Sequence, residues 1–197
     1  FLMATEKGVI KKTALEEYKK IRSNGLTAIK LEDGDQLTWV KPTTGNNDVV
    51  IVTADGKSVR FKESDVRPMG RSTKGVTAIK FKNTSDYVVG MGIIKDDNEK
   101  LLTLSDNGYG KMTTLKEYPL QKRGGTGVFT FRVTPKTGRI ASARIIEKDE
   151  EEIVVISQKA KVIRSELKAV PTLGRQTSGV KLMNMNGEDS VATVAIL

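Results

Sequence analysis

The sequence predicts an all-β fold of propeller-like blades, and three observations carry that reading. First, the 197 residues contain a fourfold internal repeat with a step of 50 to 52 residues. Second, each repeat holds a segment that reads strand, tight turn, strand, two of them turning on Asp-Gly or Asn-Gly, the strongest short hairpin signals. Third, each repeat closes with a further apolar run of strand length. Repeated units of about four short strands at this period are the signature of blades. The expectation is therefore four four-stranded blades of about 51 residues each, covering 1–48, 49–99, 100–152 and 153–197, in one domain over 1–197.

The elements align in order. The hairpin segments are FLMATEKGVIKK, VVIVTADGKSVRF, KLLTLSDNGYGKM and IVVISQKAKVIR. Next comes an arginine, a short polar loop, a glycine and a strand-like run: IRSNGLTAIKL, GRSTKGVTAIKF, KRGGTGVFTFRV and GRQTSGVKLMNM. The arginines are Arg22, Arg71, Arg123 and Arg175, and the glycines are Gly25, Gly75, Gly127 and Gly179. The third runs are DQLTWV, DYVVGMGII, GRIASARII and DSVATVAIL. One local conflict is resolved by the repeat. TALEEYKKIR has helical propensity, but its counterparts contain Pro68, Pro119 and Pro171, which break a helix interior, so a turn or a short helical piece is expected there.

Composition narrows the function. The chain has no cysteine and no histidine. That removes thiolate nucleophiles, disulfides, the usual zinc sites and the commonest general base. No active site is expected on this chain, and neither a cofactor nor a metal site. No apolar run approaches the roughly 18–20 residues of a membrane span, so no membrane partner is expected and the cytoplasm is the natural compartment. The chain opens inside an apolar run (Phe1, Leu2, Met3), as a piece of a longer protein would. The net charge is +9, which favours a polyanion as partner. Every repeat is net positive, while acid gathers in the boundary stretches TTGNND, KDDNE and EKDEEE. Positive charge is thereby left on the arginine loops and hairpins.

A glycine turn lets backbone approach an anion closely, and an adjacent arginine adds charge-assisted hydrogen bonds. Four such turns at a regular step would make a curved track for a bent duplex, read without base contacts. The competing explanation for the glycines is a positive φ before a strand, and it is preferred for Gly179. Nucleotide motifs fail: GRSTKGVT and GRQTSGVK have Val76 and Val180 where a P-loop has lysine, and both precede strands. GYGKM lacks the third glycine of a dinucleotide fingerprint. The run Asp96, Asp97, Asn98, Glu99 lacks the calcium-loop spacing. Trp39, Tyr18, Tyr87, Tyr109 and Tyr118 are scattered and read as packing residues, not as a base-stacking platform.

These segments in order, with FLMATEKGVIKKTALEEY, SVRFKESDVRPMG, DNGYGKMTTLKEYP and GRQTSGVKLMNM, resemble the C-terminal domain of DNA gyrase A and its paralogue in topoisomerase IV. The resemblance covers essentially the whole chain. It implies a β-pinwheel, a propeller-like disc whose blades exchange strands and whose basic rim wraps double-stranded DNA. It also implies two partners, gyrase B and the rest of gyrase A. The parent would be an ATP-hydrolysing type II topoisomerase that introduces negative supercoils, with its breakage tyrosine and ATPase elsewhere. The flanks resemble the last four of six blades. QKRGGTG resembles the family's wrapping box at Gln121, Lys122, Arg123, Gly124, Gly125 and Gly127, with Thr126 in place of a cation and in the third repeat, not the first. The DNA-contacting set expected is thus Arg22, Arg71, Lys74, Gln121, Lys122, Arg123, Gly124, Gly125, Gly127, Arg175 and Lys181. The alternatives are a topoisomerase IV domain and a propeller-like protein-interaction scaffold, the latter requiring an exposed apolar patch.

Overall fold

Each repeat folds as an antiparallel hairpin with a third strand laid against its first. The computed structural model describes residues 1–21 and 23–197. In the first repeat β1 (Leu2–Thr5) pairs with β2 (Val9–Lys12), Leu2 facing Lys12, and β3 (Leu37–Lys41) joins the other edge of β1. The second repeat supplies β4 (Asp48–Thr53), β5 (Lys57–Lys62), the two-residue β6 (Val76–Thr77) and β7 (Val88–Ile94). The third supplies β8 (Lys100–Ser105), β9 (Tyr109–Thr114), β10 (Val128–Phe129) and β11 (Ile140–Ile146). The fourth supplies β12 (Glu152–Ser157), β13 (Val162–Glu166), β14 (Val180–Lys181) and β15 (Val191–Ile196). The segment TALEEYKKIR contributes a 3₁₀ turn over Leu15–Tyr18, matched by Glu63–Asp65, Leu115–Glu117 and Leu167–Ala169.

The fourth strand of a blade does not come from its own repeat. β6 pairs with β2, β10 with β5 and β14 with β9, so each repeat lends its shortest strand to the blade before it. The sheet orders are β3-β1-β2-β6, β7-β4-β5-β10, β11-β8-β9-β14 and β15-β12-β13. Three sheets therefore have four strands and the last has three, because no later repeat in this chain reaches the β13 edge. The third strands meet at the hub. β7 lies so close to β11 that a side chain on Gly90 would strike the backbone of Ala143, and one on Gly92 the side chain of Ile145. The borrowed strands, at the opposite end of each sheet, form the rim.

The core lies between blades. One cluster joins Leu2, Ala4 and Ile10 of the first blade to Val49, Ile51, Val59 and Phe61 of the second. A second joins Val50 and Val52 to Leu101, Leu115 and Phe131, and a third joins Leu102 and Leu104 to Ile153, Val155 and Leu167. Odd and even positions of β4 thus serve different clusters, which explains its unbroken apolar run VVIV: a strand covered on both faces loses its alternation. β12 has a neighbour on one face only, and its burial alternates accordingly. The apolar clusters join neighbouring blades only, and among the described residues no hydrogen bond or ion pair joins the fourth blade to the first.

The blade junctions differ in chemistry. Glu63 is fully buried, accepting from the Thr43 hydroxyl at 2.6 Å and the Gly45 N–H at 3.1 Å, with the Lys12 amine 3.7 Å away. Arg60 bonds Asp48 and Asp97, both at 2.6 Å, and the Leu115 carbonyl at 3.2 Å. At the third junction the corresponding residues are Met112 and Leu167, packed in one apolar cluster.

Candidate nucleic-acid interface

The rim is built where each arginine loop meets the borrowed strand of the repeat before it. Gly75, Gly127 and Gly179 take φ of +101°, +68° and +71°, a conformation natural to glycine. They have a second reason to be glycine. A side chain on Gly75 would come within 2.7 Å of the Ile10 carbonyl oxygen, and on Gly127 or Gly179 it would run into the backbone of Ser58 or Gly110. Those three partners occupy equivalent positions on the receiving strands β2, β5 and β9. Gly25 has φ +77° but faces open space, since nothing in this chain receives its strand.

The arginines act between repeats. Arg71 donates from Nη1 to the Thr27 carbonyl at 3.2 Å, Arg123 to Thr77 at 3.0 Å and Arg175 to Phe129 at 2.9 Å. Thr27, Thr77 and Phe129 each stand two residues after the glycine of the preceding repeat. Every guanidinium therefore ties its loop to the borrowed-strand segment before it. Arg123 adds a bond from Nε to the Asp65 carbonyl at 2.9 Å. Arg22 lies outside the described residues. The sequence supplied no structural use for these guanidinium groups, because the carbonyls they reach are about one full repeat away.

Two buried lysines hold the same loops from below. Lys11 donates its amine to the Ala28 carbonyl at 2.7 Å and also to that of Arg71. Lys111 donates to Gly174 at 2.5 Å and Arg175 at 2.9 Å. Burial pushes both amines below the usual lysine range, Lys111 to about 8, and the neighbouring Arg71 and Arg175 charges push the same way. The Lys57 amine sits 3.2 Å from the centre of the Phe129 ring and is also lowered by burial.

The box-like loop is held mainly through its backbone. Gln121 N–H bonds the Arg60 carbonyl at 2.8 Å, Gly124 N–H bonds Ala78 at 2.6 Å, and the Gly125 carbonyl accepts the Lys80 N–H at 2.9 Å. Gly124 takes φ +76°, a side chain on Gly124 or Gly125 would meet nothing closer than 3.7 Å, and only Gly127 is required by close approach, where the loop passes β5. Lys122 and Thr126 remain exposed. Of the other expected residues, Lys74 is exposed and pairs with Glu32 at 2.9 Å, and Lys181 stands 5.4 Å from the Tyr109 ring.

A second row of cations was not singled out from the sequence. Lys30, Lys80 and Arg132 each stand five residues after a repeat glycine, and all three are exposed. Their backbone N–H groups bond the next loop, at Thr73, Gly125 and Thr177, over 3.1, 2.9 and 3.0 Å. Each cation is thus fixed beside the arginine loop of the following repeat. Its signal was present in the alignment as TAIK, TAIK and TFR, but strands also carry solvent-facing charge for solubility alone.

The remaining chemistry is structural. The acidic run closes on itself, Asp96 accepting the Asn98 N–H at 2.8 Å and Asp97 taken by Arg60. Among the described residues no group of acidic side chains is placed to hold a metal ion, and no helix is long and apolar enough to cross a membrane. Tyr118 is buried with its hydroxyl 2.6 Å from Thr130, and burial raises its pKa to about 12.

The chain matches the family described as the DNA gyrase C-terminal domain, beta-propeller, over residues 1–44, 47–95, 99–147 and 151–197, one stretch per repeat. It is 42% identical to DNA gyrase A of Ureaplasma parvum over 192 residues, covering 98% of this chain and 22% of that protein. It is likewise 42% identical to DNA gyrase A of Deinococcus deserti, covering 97% and 24%. Among solved structures it superposes on the C-terminal domain of DNA topoisomerase IV with a TM-score of 0.92 at 26% identity, covering all of this chain and 61% of that one. For the DNA gyrase A C-terminal domain the values are 0.85, 28%, 99% and 64%. The chain thus spans less than a quarter of the two curated relatives.

Proposed function

This chain belongs to the DNA gyrase C-terminal domain family, and from that premise we propose that it binds duplex DNA along its rim and bends it around the blades without performing a chemical step. The four repeats over 1–197 act in this reading as one pinwheel domain. The observation that carries it is the recurrence of an exposed cation, Lys30, Lys80 and Arg132, at one backbone position in three successive repeats. Those three recur at steps of 50 and 52 residues, and Lys74, Lys122 and Lys181 add exposed charge in or beside the same loops, an arrangement suited to phosphates and indifferent to base sequence. The tied arginines, Arg71, Arg123 and Arg175, keep further charge in those loops. In the parent protein such wrapping would present DNA to the catalytic parts of gyrase A and, with gyrase B, support ATP-dependent negative supercoiling in the cytoplasm.

A duplex longer than about 30 base pairs, enough to follow a bent path, titrated by fluorescence anisotropy at several salt concentrations tests this. Binding should weaken steeply with salt, by about 0.9 in log–log slope for each phosphate neutralised. Replacing Lys30, Lys80 and Arg132 with glutamine should lower the slope by about 3 and weaken binding alike on unrelated sequences. Absence of salt-sensitive binding at low salt would overturn the reading. A topoisomerase IV parent is the second reading, since the fold superposes on that domain as well, while the curated relatives at 42% identity are gyrase A. Supercoiling by the intact enzyme would support gyrase, and relaxation alone would support topoisomerase IV.

A further inference from the structure

The hairpin that opens each repeat turns on one frame. Thr5, Thr53, Ser105 and Ser157 each accept the N–H of the turn residue, Gly8, Gly56, Gly108 or Ala160, at 3.1, 3.1, 2.9 and 3.0 Å. Their hydroxyls accept the next N–H, from Val9, Lys57, Tyr109 or Lys161, at 3.2, 3.4, 3.2 and 3.1 Å. The turn residue is left-handed in every repeat, with φ of +77°, +82°, +78° and +60°. Ala160 is the one non-glycine with positive φ among the described residues, a conformation strained for any residue that carries a Cβ.

In the first three blades this residue is where the borrowed segment docks. The carbonyls of Gly8, Gly56 and Gly108 accept the N–H groups of Ala78, Thr130 and Leu182 at 2.8, 2.9 and 2.8 Å. The docked segment then passes directly over the glycine. A Cβ on Gly8 would stand 3.1 Å from the Ile79 carbonyl oxygen, and on Gly56 or Gly108 it would overlap the Phe131 or Met183 carbonyl oxygen, inside 3.0 Å. Ala160 carries that Cβ. The β13 edge beside it also presents Lys161, Arg164 and Glu166 to solvent, charges of the kind that protect sheet edges.

We propose that Ala160 bars the β13 edge to strand addition, so that the fourth blade refuses the borrowed strand that the other three require, whichever chain offers it. The edge keeps the hairpin frame of a receiving blade, and one methyl group occupies the docking space.

The test uses the whole chain with Ala160→Gly, a change that relieves backbone strain and so preserves folding. The probe is a fluorescein-labelled peptide of residues 70–82, the segment that the first blade receives. Ala160→Gly should bind it at least about tenfold more tightly than the unaltered chain, with new hydrogen-exchange protection in β13. A peptide carrying Gly75→Ala should lose that gain, since its docking register needs the glycine. Equal affinity of the two proteins, whether both bind or neither does, would overturn the proposal, as would binding that leaves β13 unprotected.

Discussion

Gly179 and Gly25 have nearly the same φ, yet only Gly179 has backbone pressed against its missing side chain. Alanine at Gly25 pays conformational strain alone, about 1 kcal/mol. Alanine at Gly179 must also push β14 away from β9, and a loss of about 3 kcal/mol or more is expected. Urea unfolding of the two variants measures the difference. The positive φ was legible in the sequence, because a glycine recurs at one place in each repeat before a strand. The close approach was not, because Gly110 lies in another repeat. The arginines teach the same lesson. Their recurrence was plain, but the carbonyls of Thr27, Thr77 and Phe129 that receive Arg71, Arg123 and Arg175 could not be paired with them from spacing.

At the scale of elements, the hairpins and third strands follow the turn signals and apolar runs, and the helical propensity of TALEEYKKIR yields to a single 3₁₀ turn. The strand-like run after each repeat glycine was legible and the family resemblance implied strand exchange, but the receiving strand was hidden, since a two-residue pairing has no periodicity and its partner belongs to the previous repeat. The lysine hooks below them make a pH prediction. Burial lowers Lys111 to about 8, against 10.5 when exposed. Between those values the unfolded chain holds a proton that the folded chain has released. Stability contributed by this group therefore rises as pH climbs from about 8 towards 10.5, and is lower and constant below that window. Unfolding midpoints of the unaltered chain and of Lys111→Met, taken across this range, should diverge in slope. The variant is flatter by the Lys111 share, while the lowered Lys11 acts equally in both.

At the scale of the molecule, stability passes only between neighbouring blades, through three clusters and junctions of different polarity. Glu63 is the least replaceable member of the first junction, because its removal leaves the Thr43 hydroxyl and the Gly45 N–H without their acceptor. Glu63→Ala should cost about 3 kcal/mol. The loss should be local, as in other arrays with nearest-neighbour coupling: hydrogen-exchange protection should fall across β1–β3 and stay unchanged in β12 and β15. The four hairpin sheets were visible in the repeat. The lack of a bond between the first and the fourth among the described residues was not, since it depends on whether two edges more than a hundred residues apart can meet.

The three arginine bridges lie in the loops that lead into the borrowed strands, at the end of each sheet opposite the hub. Ties placed on the outside of a curved stack tighten when the stack is bent further and slacken when it is straightened. They behave as the outer cord of a strung arch. The curvature of the rim is then a property of the protein before any partner arrives, and a stiff polyanion laid along it has to supply the bending.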